Sequence, residues 1–209
     1  DSFLRIRAER EFPYPPDDLS WKYARCRVKD RTERATLIAI PRSHLGALLK
    51  AMQSARLKPV SMTFGMTSVV ARETAPDEGR MVLFAGERDV EMALTMENSV
   101  IALRALNDVI AGEQNHRQYD VDMMIRQIRI TLGQLSQGLS ASIRKVLVYG
   151  AGHDARSFCD QIRAPLERMG MNLEEALLPP ETIHREQKAD EEVSPVVLNL
   201  ARMALSGQP

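Results

Sequence analysis

The segment Arg80–Leu106, RMVLFAGERDVEMALTMENSVIALRAL, decides the fold of this chain. Its first part, Arg80–Ala85, is short, apolar and rich in β-forming residues, which predicts a strand. Gly86 is a predicted turn, and Arg88–Thr95 and Ser99–Leu106 are predicted to be two further strands. Three short strands joined by tight turns predict an antiparallel meander.

The middle strand of this meander alternates between apolar and charged residues. Val90, Met92 and Leu94 fall on one face, whereas Asp89 and Glu91 fall on the other. A strand with one apolar and one charged face is expected to cover a core on one side and to meet water on the other.

The hydrophobic period changes after the meander. Apolar residues spaced three and four apart predict one long amphipathic helix, which Asp120 or Asp122 would cap. The residues of its apolar face are Ile125, Ile128, Leu132, Leu135 and Leu139. A strand at Lys145–Tyr149 and a second helix follow, and Gly170 is the expected cap at the end of that helix. Pro165 is expected to kink this second helix or to begin a new segment.

The N-terminal part begins with a charged, strand-like run at Asp1–Arg7. A buried strand is predicted at Ala35–Ile40 and another strand at Val60–Phe64. Between them, Ser43 is the predicted N-cap of a helix. The apolar face of that helix consists of Leu45, Leu48, Leu49 and Met52. Because helices and strands interleave along the chain, the fold class is α/β with a mixed sheet.

Composition excludes several classes of protein. The chain has 209 residues, 44% of them hydrophobic, which is too apolar for a disordered segment. Lys plus Arg and Asp plus Glu both number 28, so the net charge is zero. A dedicated nucleic-acid binder would carry a basic excess, and we therefore expect no nucleic-acid partner. We expect the start to be neither a signal peptide nor a natural N-terminus, and the sequence to be a piece of a longer protein.

Few residues carry recognisable site chemistry. The four histidines are far apart, so no metal site is predicted, and no nucleophile motif surrounds any serine or cysteine, so no catalytic residue is assigned. The best candidate is the turn Gly150-Ala-Gly152 with His153, between a predicted strand and a predicted helix. Glycines at such a turn let the backbone approach a ligand, and the N–H groups of the helix point at it. The alternative is a tight strand-to-helix turn without a ligand.

The order of these elements resembles PilM-type proteins, the actin-like cytoplasmic components of type IV pilus assembly, which are related to the cytoplasmic part of the type II secretion protein GspL. The resemblance extends over nearly the whole chain. The similar segments are Glu9–Tyr23, Ile38–Arg42, Ala51–Val60, Ala102–Arg104, Ile128–Leu132, Val146–Ala155 and Ser194–Leu205.

The resemblance implies an actin-like (ribonuclease H-like) domain with a mixed sheet and a small inserted α/β subdomain. We expect the small subdomain at residues 1–70 and the actin-like C-terminal subdomain at residues 71–209. It also implies a nucleotide-binding region, in which Asp77 and Gly79 would take the place of the second phosphate loop. Gly150, Gly152 and His153 would lie at the adenosine.

Departures from the family pattern favour a scaffold without catalysis. No Thr or Ser follows Gly79, and Ala151 interrupts the expected run of glycines. Because phosphoryl transfer depends on positioned backbone donors and a metal held by a carboxylate, we expect a degenerate ATPase and no cofactor. ATP with Mg remains an option for the full-length protein.

As a scaffold, the chain would bind a cytoplasmic peptide of a membrane component of a type IV pilus or type II secretion machine. It would then be cytoplasmic and held at the inner membrane through that partner, and a homo-oligomer is compatible with this role. The Phe12–Tyr14 segment and the groove against Leu45–Met52 are the hypothetical contact surfaces. The alternative is an ATP-binding or ATP-hydrolysing member of the actin and hexokinase superfamily that lacks its N-terminal part.

Overall fold

The computed structural model describes residues 2–27, 33–59, 62, 65–70, 78–86, 89–96, 99–111, 118–150 and 152–175. The chain divides into two compact units. The first comprises Asp1–Arg27 and Glu33–Met62, and the second comprises the rest. The sequence predicts a subdomain boundary after residue 70, eight residues beyond the end of the first unit, and that boundary stays a prediction.

The first unit is a two-stranded sheet with two helices. Its elements in chain order are α1 (Ser2–Glu11), a 3-10 turn (Pro16–Asp18), β1 (Leu19–Arg27), β2 (Glu33–Pro41) and α2 (Arg42–Ser54). β1 and β2 pair antiparallel along their whole length, from Leu19 opposite Pro41 to Arg27 opposite Glu33. Helix α2 packs against both strands.

The start of the chain is a helix, so the prediction of a strand-like run was wrong. Leu, Arg, Ala and Glu dominate Ser2–Glu11, and all four are good helix formers. An ion pair between the Arg7 guanidinium and the Glu11 carboxylate, 3.1 Å apart and one turn along the helix, adds local support.

Two details of α2 also differ from prediction. The helix begins at Arg42 after Pro41, and no side chain caps it, so Ser43 lies inside the first turn and is not the N-cap. The strand predicted at Ala35–Ile40 exists, but its side chains are exposed or half-buried, because a two-stranded sheet has little to cover it. Of the predicted strand Val60–Phe64, only Met62 is among the described residues, and it has no regular structure.

The second unit contains a five-stranded mixed sheet with the order β5-β4-β3-β8-β9. The strands of this sheet are β3 (Gly79–Ala85), β4 (Val90–Met96), β5 (Ser99–Leu106), β8 (Ile143–Gly150) and β9 (Asn172–Glu175). The pairs β3–β4 and β4–β5 are antiparallel, which confirms the predicted meander. The pairs β3–β8 and β8–β9 are parallel.

The other elements of the second unit are helices and a short ribbon. The helices are α3 (Gly65–Val70), α4 (Val121–Gly133), α5 (Gln137–Ser142) and α6 (Gly152–Arg168), and the ribbon pairs β6 (Ile110–Ala111) with β7 (Gln118–Tyr119). The sequence analysis predicted neither this ribbon nor β9.

The main core lies on one face of the sheet, beneath α4 and α6. It joins Met92 and Leu94 of β4 to Ile128 of α4 and to Phe158 and Ile162 of α6, all fully buried. A second cluster covers the opposite face, where Met66 and Val70 of α3 meet residues of the sheet. Because both faces are covered, β4 is not half-buried as predicted: Ala93 and Thr95 are buried as well.

The predicted long helix is interrupted. Asp120, one of the two predicted caps, is the N-cap of α4. Its carboxylate accepts a hydrogen bond of 2.9 Å from the Met123 N–H. The helix then ends at Gly133, and α5 carries Leu139 back to the core. Glycine has low helix propensity, which explains the break.

The end of α6 follows the prediction at one residue and differs at another. Gly170 has a φ of 75°, the left-handed conformation expected of a helix C-cap. Pro165 lies inside one continuous α6, so no new segment begins there. The predicted loop at residues 178–192 and the predicted closing helix at residues 194–205 lie outside the described residues.

Candidate functional site

The carboxyl ends of the parallel strands β3 and β8 lie side by side. Ala85, the last residue of β3, pairs with Gly150, the last residue of β8. Helix α6 begins at Gly152, so its first N–H groups lie at this end of the sheet. Ligands of open α/β sheets commonly bind outside the carboxyl ends of parallel strands, and a helix N-terminus there favours an anion. We call this place the carboxyl edge.

Gly86 adds a second tight turn to the carboxyl edge. Its N–H donates a hydrogen bond of 3.0 Å to the carbonyl of Asp89, which closes the connection from β3 to β4. A methyl group at Gly86 would lie 3.1 Å from the Asp89 carbonyl oxygen and 3.2 Å from its carboxylate, so the turn has little room for a side chain. The sequence analysis identified the turn but did not assign it to the site.

Gly79 lies at the other end of these strands. It is the first residue of β3 and pairs with Ile143, the first residue of β8. Six residues separate Gly79 from Ala85, about 20 Å along an extended strand. The structure therefore brings Gly150 and Gly152 together but not Gly79 with them. Asp77 lies outside the described residues, and His153 is described only as the second residue of α6.

The glycine at position 79 has a packing role. A methyl group there would lie 2.9 Å from the Ser142 hydroxyl and 3.0 Å from side-chain atoms of Ile143 and Met96. Only a residue without a side chain lets α5 and β8 approach β3 this closely.

Glu91 is the half-buried acidic residue nearest the carboxyl edge on β4. It lines a cavity of about 190 Å³ with Met66 of α3 and Leu103 of β5. Burial raises the pKa of its carboxyl, and the neighbouring Asp89 carboxylate raises it further. A raised pKa in a cavity is a feature of functional sites, but one carboxylate alone defines no reaction.

The described residues offer no metal site and no reactive thiol. No group of three or more His, Cys, Asp or Glu side chains within them could hold a metal ion. Cys159 is buried, and its pKa is raised to about 11, first by burial and then by Glu175, so its thiol is unreactive at neutral pH.

The first unit instead presents apolar surface. None of the residues of α2 is buried. Leu48 and Met52, one turn apart on this helix, are 46% and 38% exposed, and Leu57 and Met62 follow at 60% and 48%. We call these four residues the α2 surface. It includes part of the groove that the sequence analysis proposed, and Tyr14 of the proposed Phe12–Tyr14 segment is exposed too.

Comparison with protein-family models gives no match, and comparison with curated proteins gives none either. Solved structures do match. A PilM–PilN type IV pilus biogenesis complex is similar over 100% of this chain and 72% of the matched chain, with a TM-score of 0.66 and 19% identity. The cytoplasmic domain of EpsL, an inner-membrane component of the type II secretion system of Vibrio cholerae, is similar over 98% of this chain and 63% of its own, with a TM-score of 0.50 and 11% identity.

A protein of Bacteroides thetaiotaomicron with an actin-like ATPase fold and unknown function is similar over 84% of this chain and 60% of its own, at a TM-score of 0.45 and 8% identity.

None of the helices in the described ranges is long and apolar enough to cross a membrane. The similarity over the full length shows that this chain shares the fold of the matched chain in the PilM–PilN complex, as the resemblance in the sequence predicts, with an α/β architecture around a mixed sheet.

Proposed function

We propose that this chain is an assembly-platform protein of a type IV pilus or type II secretion machine, and that it binds an extended segment of an inner-membrane partner on the α2 surface. In this role it is a non-catalytic, cytoplasmic scaffold, held at the membrane through that partner. The fold supports the assignment to this class, because one of the similar structures is a complex of PilM with PilN. The observation that carries the proposal is the exposed apolar surface of the first unit.

The exposure of α2 supports a binding role. A surface helix normally buries its apolar stripe against the rest of its domain. Here Leu45 and Leu49 are only half-buried, and the neighbouring Leu48 and Met52 are more exposed still. Apolar side chains that project from one helix are suited to receive the anchors of a peptide.

The charge around α2 restricts the partner further. The segment from Arg42 to Pro59 carries the basic residues Arg42, Lys50, Arg56 and Lys58 and no acidic residue. A partner segment with apolar anchors and at least one carboxylate would complement it, and binding would then weaken as salt rises.

Isothermal titration with a synthetic peptide tests the proposal. The peptide carries the cytoplasmic residues of the PilN-type protein encoded in the same genome. We expect binding that the double change Leu48→Glu and Met52→Glu abolishes, because two carboxylates would replace the apolar contact. The matched control is Ile130→Glu with Met123→Glu, since these residues of α4 are 46% and 37% exposed. Equal loss in both double variants, or no binding to the parent chain, would contradict the proposal.

Nucleotide binding is the second candidate, and the carboxyl edge favours it. The first N–H groups of α6, from Gly152 onward, lie at the end of β3 and β8, beside the tight turn that Gly86 closes. Titration of the chain with ATP and magnesium tests it. Binding and turnover that Asp77→Asn abolishes would support an ATPase in place of a scaffold.

A further inference from the structure

A second cavity lies at the opposite end of the sheet from the carboxyl edge. Its volume is about 490 Å³, within the usual range for small-molecule sites. The end of α4, the end of α6 and the beginning of β8 surround it, so several rigid elements fix its walls. It is distinct from the carboxyl edge, and one of its lining residues, Ile143, pairs with Gly79 at this end of β3 and β8.

Three arginines from three different elements line this cavity. Arg129 comes from α4, Arg144 from β8 and Arg168 from α6. No acidic residue lines the cavity, and none of the three guanidinium groups forms an ion pair with a described residue. All three arginines are exposed, and no lining residue supplies a negative charge to balance theirs.

Two of the arginines are held in place by their Nε atoms. Arg144 donates from Nε to the carbonyl of Ala141 at 3.0 Å, and Arg168 donates from Nε to the carbonyl of Ala164 at 3.4 Å. These bonds leave the terminal Nη groups available to an anion. The guanidinium group presents its donors as a planar fork that matches phosphate oxygens.

At the ends of α4 and α6, backbone N–H groups donate hydrogen bonds to the last carbonyl groups of each helix. These carbonyl groups therefore do not need all three arginines as donors. At the end of α6, the N–H groups of Gly170 and Met171 bond the carbonyls of Glu167 and Leu166 at 2.8 and 3.0 Å. At the end of α4, the Gln134 N–H bonds the Thr131 carbonyl at 3.2 Å. Arg129, one turn before the end of α4, forms no hydrogen bond to the carbonyl groups at either helix end.

We infer that this cavity, which we call the arginine cavity, binds a compact, multiply charged phosphate-bearing small molecule. A sphere of the same volume is about 10 Å across, small enough for one compact anion to reach several walls of the cavity. A polyanion seated there would form charge-assisted contacts with all three arginines. A compact cavity suits adjacent phosphate groups better than the spaced carboxylates of an acidic peptide. The inference does not depend on the partner-binding role proposed above.

Titration with inorganic tripolyphosphate, without magnesium, tests this inference on the intact chain. We expect saturable binding that weakens with salt, and a loss of about tenfold in affinity for each of Arg129→Gln, Arg144→Gln and Arg168→Gln. Arg126→Gln is the matched control, because Arg126 is exposed on α4 but does not line the cavity. An ATP arm shows whether a nucleoside adds affinity, and a poly-glutamate arm shows whether any polyanion suffices.

The site is located by two-dimensional NMR of the glycine amides. Gly133 and Gly170 line the cavity, whereas Gly86 and Gly150 lie at the carboxyl edge. We expect tripolyphosphate to shift the first pair and not the second. The absence of binding at low salt, equal weakening by Arg126→Gln, shifts confined to the carboxyl edge, or equal binding of poly-glutamate would each overturn the inference. A melting curve for every variant confirms that it is folded.

Discussion

The two units of this chain differ in how completely they bury their own apolar residues. Among the residues of the first unit whose burial is described, Ala8 and Leu19 are the only buried hydrophobics, whereas the second unit has a continuous core on one face of its sheet and a second cluster on the other. The exposed large hydrophobic side chains show the opposite distribution: of those whose exposure is described, all but Met123 and Ile130 belong to the first unit. Since burial of apolar surface is the main stabilising term in folding, we expect the described core to stabilise the second unit more than the first. Under our proposal, the exposed apolar side chains of the first unit contact the partner.

The largest expected effect tests the core of the second unit. Phe158 is fully buried, and its ring packs edge-on against Tyr119 with 4.7 Å between the ring centroids. We expect Phe158→Ala to lower the free energy of unfolding by about 3–5 kcal/mol, because it leaves a cavity in a dense core. Urea denaturation followed by circular dichroism measures the change. Leu48→Ala in the first unit serves as the comparison and should lower the free energy of unfolding by about 0.5 kcal/mol or less. Comparable losses at both positions would contradict the difference in burial between the two units.

Glycine replacements sharpen the comparison at the level of single methyl groups. Gly79→Ala brings a methyl group to within 3.0 Å of side chains from three elements of the second unit, α5, β8 and β4, and we expect it to cost about 1–3 kcal/mol. Gly46 in α2 has no atom within 4 Å of such a methyl group. Gly46→Ala should therefore stabilise the helix by about 0.5–1 kcal/mol. Thermal unfolding of both variants measures the two changes in stability, which should have opposite signs. A Gly79→Ala variant as stable as the parent would show that the packing around β3 is loose.

The cap of α4 provides a smaller test. Asp120→Ala removes the acceptor for the Met123 N–H and should cost about 1 kcal/mol. Asp122 also lies in the first turn but accepts no capping bond, so Asp122→Ala should cost about half as much or less, through the helix dipole alone. The denaturant midpoints of the two variants show whether Asp120 or Asp122 caps α4, a choice that the sequence left open. A larger loss for Asp122→Ala would contradict the structure.

The smallest effect depends on pH and concerns Glu91. Burial, and then Asp89, raise the pKa of this carboxyl in the folded state, so the folded chain binds the proton more tightly than the unfolded chain. Stability therefore falls as pH rises from the ordinary glutamate pKa through the raised one. We expect Glu91→Gln to be more stable than the parent at pH 7 and equal to it below about pH 4, where both side chains are neutral.

Denaturation at several pH values measures the Glu91 effect. Glu78→Gln, at an exposed residue just before β3, controls for the loss of one negative charge. A stability difference between Glu91→Gln and the parent that does not change with pH would mean that Glu91 is not the titrating group.

Local sequence patterns were enough to predict most of the second unit. The alternation in β4 and the helical spacing of Ile125, Ile128 and Leu132 in α4 depend only on neighbouring residues, and the structure confirms both elements. β9 was missed because Asn172–Glu175 buries only Leu173 and has no apolar alternation. It becomes a strand through parallel pairing with β8, which is a long-range interaction.

The site was harder to predict because it depends on strand register. The resemblance assigns Gly79 to a phosphate loop and Gly150 to the adenosine of one nucleotide region, and that assignment stays a prediction. The parallel pairing of β3 with β8 places the two glycines at opposite ends of these strands, whereas Gly86 directly follows Ala85, the residue that pairs with Gly150. The sequence predicts that a glycine directly follows the first strand of the meander. It does not predict which strand pairs with that first strand in parallel.

Hydrogen exchange of the chain with and without the PilN-type peptide tests the central claim most directly, because it reports on both units in one experiment. We predict that the peptide slows exchange in α2 and the residues that follow it, up to Met62, and leaves β3, β4 and β8 unchanged. Protection confined to the second unit, or no protection anywhere at saturating peptide, would contradict the claim that the first unit is the docking surface.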